Sequence, residues 1–256
     1  MDPLTLIGVI LAFGAILGSM IMEGGNPAEL ILIPSLILVF VGTTAVGMAG
    51  STLPDFLYSL RALKDAFLGK TPKPDDLVTT IVKCAETARR EGLLALESQV
   101  ASIEEPLLKR GLELAIDGTD PDALAEVLEA EVAATHKRGL VPAKLFESMG
   151  GYAPTIGIIG TVMGLVNVLG NLENPGELGH LIAGAFIATL WGVLSANVLW
   201  LPIGTKLKLL NEMAHQRNEM IVEGVLAIQG GANPRMVDRK LRALLPPSAG
   251  ADKKAA

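Results

Sequence analysis

Charged residues and cysteine are scarce in this sequence. Only 19% of its 256 residues are charged, half are hydrophobic, and Cys84 is the single cysteine. One cysteine excludes an internal disulfide, and we expect a small buried residue there rather than a reactive thiol. This much hydrophobic sequence excludes a disordered chain and is unusual for a soluble domain.

Patterns of catalysis and of metal binding are also missing. The sequence has no nucleotide-binding loop and no nucleophile triad, and its three histidines, at positions 136, 180 and 215, do not have metal-ligand spacing. We therefore expect no catalytic residue, no metal site, no cofactor and no enzyme. The histidines are expected at surfaces or interfaces, with a minor role in ion access as an alternative for His180. The net charge of −6 argues against nucleic acid as a partner.

Four stretches carry no charged side chain and are long enough to cross a bilayer, namely residues 3–22, 30–50, 151–172 and 181–203. The first has neither a basic start nor a clear cleavage site, so we expect a membrane helix rather than a signal peptide. Of the 21 Lys and Arg, twelve lie in 61–144 and nine in 206–254, and the connectors 23–29 and 173–180 contain none. The positive-inside rule places both connectors outside and both termini in the cytoplasm.

The sequence thus predicts an all-α, polytopic membrane protein with four transmembrane helices and a helical cytoplasmic domain. Residues 1–50 would form transmembrane helices 1 and 2, a hairpin with outer turn 23–29, and residues 51–150 the cytoplasmic domain. Residues 151–205 would form transmembrane helices 3 and 4 with outer loop 173–180, and residues 206–256 the cytoplasmic C-terminal helices and tail.

Helix start and stop signals divide the cytoplasmic regions further. Helices are predicted over 53–67, 75–91, 106–117, 206–228 and 234–244, with a turn at 69–74 and a disordered tail after Pro246. Gly92 interrupts a helical pattern that resumes through Ser98. Asp120 and Pro121 start a long helix, which is expected to break near Gly139 and Pro142 before the third span.

The four apolar stretches contain hydroxyls and amides but no carboxylate. The polar residues among them include Thr43, Thr44, Thr155, Thr161, Asn167, Thr189, Ser195 and Asn197. Proton and sodium carriers usually need an ionisable group at membrane depth, so an ion-moving protein of this kind must take its carboxylate from a partner. The hydroxyls either help to coordinate a cation or bond back to their own helix and pack against neighbours, and both alternatives stay open.

Glycines and prolines mark the third and fourth stretches. Gly160 and Gly164 have the small-xxx-small spacing that lets two membrane helices approach closely. Pro154 and Pro202 lie near the predicted cytoplasmic ends of these stretches, where each simply ends or kinks a helix or acts as a hinge.

A charged cluster in the cytoplasmic region consists of Arg89, Arg90 and Glu91, followed by Glu97. On a continuous helix a step of seven or eight residues returns to nearly the same face, so these groups would be presented together to a partner of complementary charge. The alternative, which the spacing alone favours, is a solvated helix face with local ion pairs.

Three motifs together resemble those of the flagellar motor stator A subunit of MotA/PomA type. They are AETARREGLLALE at 85–97, APTIGIIGTVMGLV at 153–166 and IAGAFIATLWGVLSANVLWLPIGTKL at 182–207. The short core at 160–164 is shared with the TolQ/ExbB energisers of outer-membrane processes. Those relatives have three spans, so the additional N-terminal hairpin favours the stator.

The resemblance implies a ring of five subunits around a dimer of a B subunit (MotB/PomB type), whose membrane Asp binds the transported Na⁺ or H⁺. Thr161 and Thr189 match threonines placed near that Asp in sodium-driven stators. Proton-driven stators commonly have Ala at the latter position, so Thr189 favours sodium. Pro154 and Pro202 match the two prolines that are tied to the coupling of ion flow to movement.

The resemblance also implies a place and a rotor contact. The protein would lie in the bacterial inner membrane, and Arg89 and Glu97 would contact the rotor switch protein FliG, with Arg90 as an additional candidate. An ExbB/TolQ-like proton-driven energiser is the alternative from the same superfamily. A structural membrane scaffold without ion flux is a third.

Overall fold

The computed structural model describes residues 4–68, 74–173 and 175–245, and within these ranges the regular structure is entirely helical. The main helices are α1 (Leu4–Met22), α2 (Ile33–Ala49), α3 (Leu53–Leu68), α4 (Pro74–Glu91), α5 (Pro106–Ile116), α6 (Pro121–Gly170), α7 (Pro175–Gln229) and α8 (Pro234–Ala243). Short helical turns occupy Pro27–Leu30, Leu93–Leu96 and Glu97–Val100. The predicted all-α class is confirmed.

Four of these helices contain a long apolar segment. By length and composition α1, α6 and α7 can cross a membrane, and α2 is a shorter apolar helix. The second span was predicted to begin at residue 30, but Asn26 and Pro27 start a separate 3₁₀ turn, and α2 begins only at Ile33. At about 1.5 Å per residue, Ile33–Ala49 still reaches about 25 Å, at the short end of membrane spans.

One compact unit contains residues 1–71 and 139–210. It holds α1 to α3 together with the apolar parts of α6 and α7. Its buried core joins α3, α6 and α7 through Phe56, Ala66, Ala143, Leu145, Phe146, Met149, Ile203 and Leu207. Much of the surface of α1 and α6 in this unit is apolar and exposed, which is unfavourable in water and indicates lipid or protein neighbours.

A second compact unit contains residues 72–138 and 211–256. Its core is made of aliphatic side chains, and Gly224 lets α7 lie close to α4, because a Cβ there would be 2.7 Å from Cγ2 of Ile81. Arg242 of α8 donates to Asp238 at 2.9 Å and to Asp75 of α4 at 3.0 Å. The hydrogen bond to Asp238, with the charge of both carboxylates, raises the pKa of the Arg242 guanidinium.

The helices α6 and α7 each contribute residues to both units, so the two units do not test the predicted domain boundaries. The boundaries at 150/151 and 205/206 were placed at the ends of the apolar segments, which fall inside these helices. They remain predictions about where the membrane begins.

The predicted break near Gly139 and Pro142 is wrong, because α6 is a single helix through both positions. A proline inside a helix removes one backbone hydrogen bond, and packing against neighbours offsets that loss here. Pro142 is buried, and a Cβ on Gly204 of α7 would lie 3.0 Å from the carbonyl oxygen of Ala143. The close contact with α7 therefore keeps α6 helical where the local sequence favours a break.

Most other predicted helix ends are confirmed. Asp120 accepts hydrogen bonds from the amides of residues 122 and 123 and starts α6, and Asn233 caps α8 in the same way. Gly92 has a φ of 87°, a left-handed conformation that ends α4 and that favours glycine. Residues 69–73 of the predicted turn, Asn174 in the outer loop, and the tail after Pro246 lie outside the described residues.

The single cysteine, Cys84, is 3% exposed in the core of the second unit, as expected. Burial raises the pKa of its thiol, although the charge of Lys83 acts in the opposite direction. Because the folded pKa is raised, ionisation of this thiol favours the unfolded chain. Its contribution to stability is complete below the pKa of an unfolded thiol, about 8.5, and is lost as the pH rises further.

We predict that folded protein reacts with iodoacetamide at pH 8 at least about tenfold more slowly than protein unfolded in urea. Mass spectrometry of quenched time points measures both rates at the one thiol. Equal rates would contradict the burial of Cys84.

Candidate functional site

The apolar parts of α6 and α7 run antiparallel with their backbones in direct contact. A Cβ on Gly157 would lie 2.8 Å from the carbonyl oxygen of Ala188, and one on Gly192 would lie 2.7 Å from that of Ala153. Real side chains do not approach a backbone so closely, so these two positions require glycine. The contact brings polar groups of the two helices within hydrogen-bonding distance.

The two glycines singled out from the sequence lie in the same contact. A Cβ on Gly160 would be 2.6 Å from Cβ of Ala188, and one on Gly164 would be 2.6 Å from Cβ of Ala185. The sequence reading missed Gly157 and Gly192. Their signal was present in the alternation of small residues on α7, where Ala188 and Gly192 have the same four-residue spacing.

Thr161 and Thr189 face each other across this contact. Their hydroxyl oxygens are 2.5 Å apart, and Thr161 also lies 2.9 Å from the carbonyl oxygen of Ala185. The hydroxyl of Thr189 is 3.3 Å from the carbonyl oxygen of Gly157. Two hydroxyls and two carbonyls thus form a cluster of oxygen atoms at the helix interface, and both threonines are half-buried.

The proton balance of this cluster determines its chemistry. Each hydroxyl has one proton and two lone pairs. At 2.5 Å one of the two hydroxyls donates to the other, and the second can donate to a carbonyl. If a cation were bound instead, both could donate to the carbonyls of Ala185 and Gly157, and lone pairs of both hydroxyls would be available to the cation. The carbonyl acceptors therefore allow the two hydroxyls to act together as ligands of a cation, which is favoured by oxygen atoms of this kind.

Several other hydroxyls and amides of the apolar stretches bond back to their own helices, whereas the Ser35 hydroxyl of α2 lies 3.5 Å from the carbonyl oxygen of Gly184 on α7. Thr44 donates to the carbonyl of Phe40, Thr155 to Tyr152, Ser195 to Gly192 and Asn197 to Val193. Asn167 accepts from Asn171 one turn later. The hydroxyl of Thr43 is buried without a hydrogen-bond partner. Thr161 and Thr189 differ from these residues because their hydroxyls bond between helices, although Thr161 also lies 3.4 Å from the carbonyl oxygen of Gly157 in its own helix. Coordination of a cation by these two threonines stays a prediction.

Pro154 of α6 and Pro202 of α7 lie near the contact of Gly150 with Leu201. Pro154 has no N–H for the carbonyl of Gly150 one turn before it. Gly150 packs against Leu201, next to Pro202, since a Cβ on Gly150 would lie 2.6 Å from Cγ of Leu201. Both prolines are half-buried. Each proline therefore removes one backbone hydrogen bond from its own helix near this contact.

The residues before Pro202, Ala196–Trp200, form a π-helical turn, with the amide of Leu201 bonded to the carbonyl of Ala196. A second π-turn, Ile37–Val41, lies in α2. The two turns meet through aromatic rings, because Phe40 lies 6.3 Å from Trp200 between ring centroids. Such turns mark departures from regular helix and are frequent at functional sites.

The charged cluster does not lie on one continuous helix, which is the arrangement that would put its charged groups on one face. Arg89 and Arg90 lie at the end of α4, while Glu97 begins a short turn after the chain reversal at Gly92. Gln99 donates to Thr87 at 3.0 Å and ties this turn to α4. All three charged side chains are exposed.

A profile of the MotA/TolQ/ExbB proton channel family matches residues 99–220. Motility protein A of Bacillus subtilis (strain 168) is 34% identical over 96% of this chain and 92% of its own length. Chemotaxis protein PomA of Vibrio alginolyticus is 34% identical over 94% of each chain. The chain belongs to the MotA/PomA group of the MotA/TolQ/ExbB family.

Solved structures agree with membership of the MotA/PomA group. The structure of C. jejuni MotAB matches with a TM-score of 0.93 and 32% identity, over 96% of this chain and 97% of that chain. The flagellar MotAB stator complex from Bacillus subtilis matches with a TM-score of 0.88 and 33% identity, over 95% and 96%. The family that the three motifs indicate is confirmed.

We predict that Gly192→Ala destabilises this member of the MotA/PomA group by about 1–3 kcal/mol, because the added methyl group forces two backbones apart. Thermal unfolding of the detergent-solubilised protein measures the change. Gly151→Ala is the matched control, since a Cβ at Gly151 meets nothing within 4 Å. Equal unfolding temperatures for both variants would contradict the backbone contact.

Proposed function

We propose that this protein is the A subunit of a flagellar stator in the bacterial inner membrane, an ion-driven generator of torque and not an enzyme. The observation that carries the proposal is the Thr161–Thr189 hydroxyl pair, which bridges two tightly packed apolar helices in a chain whose apolar stretches lack carboxylates. Membership of the MotA/PomA group supports the same function.

In this proposal the missing charge comes from a partner. A B subunit of MotB/PomB type supplies the Asp that binds the transported ion beside Thr161 and Thr189. The hydroxyl protons turn towards the carbonyls of Ala185 and Gly157, and the hydroxyl oxygens face the cation. Sodium is favoured over the proton, because a proton needs only the Asp, whereas Na⁺ gains from additional oxygen ligands.

Self-association in a five-membered ring around the B dimer would cover apolar surface that a single chain leaves open. Ile158, Val162, Val166 and Leu169 of α6 are 54%, 56%, 63% and 67% exposed. Their spacing of three or four residues places them along one side of the helix. Such a continuous apolar surface fits helices of a neighbouring chain or lipid.

Ion binding would be converted into movement at the prolines. Binding neutralises the Asp of the B subunit and changes how its helix packs against this chain. Pro154 and Pro202 each remove one backbone hydrogen bond, and this lets α6 and α7 bend in response. The ring then takes a step. The driving free energy is about 2.3 kcal/mol per charge for every 100 mV.

The moving ring would act on the rotor through Arg89, Arg90 and Glu97. These side chains are exposed at the end of α4 and in the following turn, so they are available to FliG. Contact between complementary charges transmits force without any covalent step.

The ExbB/TolQ-like energiser is the alternative, and deletion of the gene separates the two functions. Paralysed cells with intact flagella support the stator. Defective iron or vitamin uptake in swimming cells would overturn it.

We predict that Arg89→Glu and Glu97→Lys each abolish most swimming while the stator still assembles, because the charge contact with the rotor is reversed. Motility in soft agar and membrane localisation of a tagged protein measure the two properties. Glu126→Lys, an exposed charge reversal on α6, is the control and should swim normally. Normal swimming of both test variants would exclude the proposed rotor contact.

We predict that swimming speed at fixed pH rises with external sodium, and that Thr189→Ala raises the sodium concentration for half-maximal speed by at least about tenfold, since a cation ligand is lost. Ser in place of Thr189 keeps the hydroxyl and should restore the response. A speed that does not depend on sodium would overturn the choice of ion.

A further inference from the structure

Trp191 of α7 ties this helix to α2 and to the turn before it. Its indole N–H donates to the carbonyl oxygen of Leu30 at 2.7 Å, and its ring lies 5.8 Å from that of Phe40 between centroids. The same carbonyl accepts from the amide of Leu32 at 3.0 Å, so the acceptor of the indole bond is itself held in place. Trp191 thus makes a directional tertiary bond to a fixed backbone group.

The face of α7 that carries Trp191 differs from the face that carries Thr189. Each residue turns an α-helix by about 100°, so Trp191 points about 200° away from Thr189. Gly184 lies seven residues before Trp191 on the same face, and a Cβ there would be 3.2 Å from Cδ2 of Leu32. The Ser35 hydroxyl lies 3.5 Å from the carbonyl oxygen of Gly184. One face of α7 therefore contacts α6, and another contacts α2 and the turn before it.

The two tryptophans of the chain differ in their hydrogen bonding. The indole nitrogen of Trp200 is buried and has no hydrogen-bond partner among the described residues. A buried indole is thus accommodated in this unit without an acceptor. The bond from Trp191 to Leu30 therefore adds a constraint on α7 that burial of the ring alone does not require.

The contact between α6 and α7 fixes their separation more firmly than their rotation. Gly157, Ala188 and Gly192 give both helices smooth surfaces there. Rotation is resisted where ridges of side chains fit into grooves, and glycine and alanine form only low ridges. A hydroxyl about 4 Å from the helix axis moves by about 2 Å when the helix rotates by about 30°. Such a movement would separate the hydroxyls of Thr161 and Thr189, which are 2.5 Å apart.

We propose that Trp191 is a positioning residue for the pair of Thr161 and Thr189. Its hydrogen bond to Leu30 fixes the rotation of α7 about its own axis, so that the hydroxyl of Thr189 faces Thr161. The geometry of the pair therefore depends on the turn before α2 as well as on α6. Only the consequence for ion affinity rests on the proposed function.

Disulfide formation between cysteines at the two threonine positions measures this rotation. The full-length chain carries Thr161→Cys, Thr189→Cys and Cys84→Ala, and it is oxidised with copper phenanthroline in membranes of the cells that normally produce it. Maleimide-linked polyethylene glycol then labels the remaining thiols of the denatured chain. Adding Trp191→Phe, which keeps an aromatic ring but removes the N–H, should slow disulfide formation at least about fivefold, since a misplacement of about 1 Å can slow a reaction about 100-fold.

Trp200→Phe is the matched control, because it removes an indole N–H that has no partner among the described residues. This variant should form the disulfide at the rate of the parent chain. Equal rates for the parent and for Trp191→Phe would overturn the proposal. An equal slowing in both tryptophan variants would also overturn it, since it would show a general loosening of the packing.

The sodium response tests the consequence for ion binding in chains that keep both threonines. Trp191→Phe should raise the sodium concentration for half-maximal swimming speed about threefold, less than the roughly 10–100-fold effect of groups that hold a metal ligand directly, because Trp191 acts through the helix. The speed at saturating sodium should change less. A lower maximal speed with an unchanged half-maximal concentration would overturn the positioning role.

The two measurements separate this proposal from the proposed function. If unsubstituted cells swim at a speed that does not depend on sodium, the choice of ion is wrong. Slower disulfide formation in Trp191→Phe than in Trp200→Phe would then still support the positioning of Thr189.

Discussion

The backbone contact between α6 and α7 is the constraint on which the candidate site depends. Gly157 and Gly192 allow the two helices to touch, and only at that separation do Thr161 and Thr189 come within hydrogen-bonding distance. The same contact keeps α6 intact through Pro142, where Gly204 packs against Ala143. Larger side chains at these positions would hold the two helices further apart. The hydroxyls of Thr161 and Thr189 would then no longer meet, and the packing that keeps α6 helical at Pro142 would be lost as well.

Much of this architecture could be predicted because the signals are local. Capping residues such as Asp120 and Asn233 act within one helical turn, and the apolar stretches are long enough to be unambiguous. The break predicted at Pro142 failed because tertiary packing outweighs the loss of one hydrogen bond. A shared face for Arg89 and Glu97 required a continuous helix, and the interruption predicted at Gly92 removes it, because Gly92 adopts a left-handed conformation.

The sequence does not predict which of the threonine hydroxyls bond between helices. Thr44, Thr155 and Thr161 are equivalent in the sequence, yet the first two bond within their own helices and Thr161 bonds across to α7. Which of these occurs depends on the partner that faces each residue, and that is a property of packing. The absence of carboxylates could be read directly, and it remains the strongest indication that the site is completed by another chain.

The π-turn at Ala196–Trp200 has a consequence for comparing this chain with its relatives. A π-turn contains one residue more than the corresponding α-helical turn, and one residue corresponds to about 100° of rotation around the helix axis. The direction in which Lys206 and the rest of α7 point relative to Thr189 therefore depends on that extra residue. A relative with a regular helix here would align with a one-residue gap, and an alignment without the gap would compare the wrong residues after Pro202.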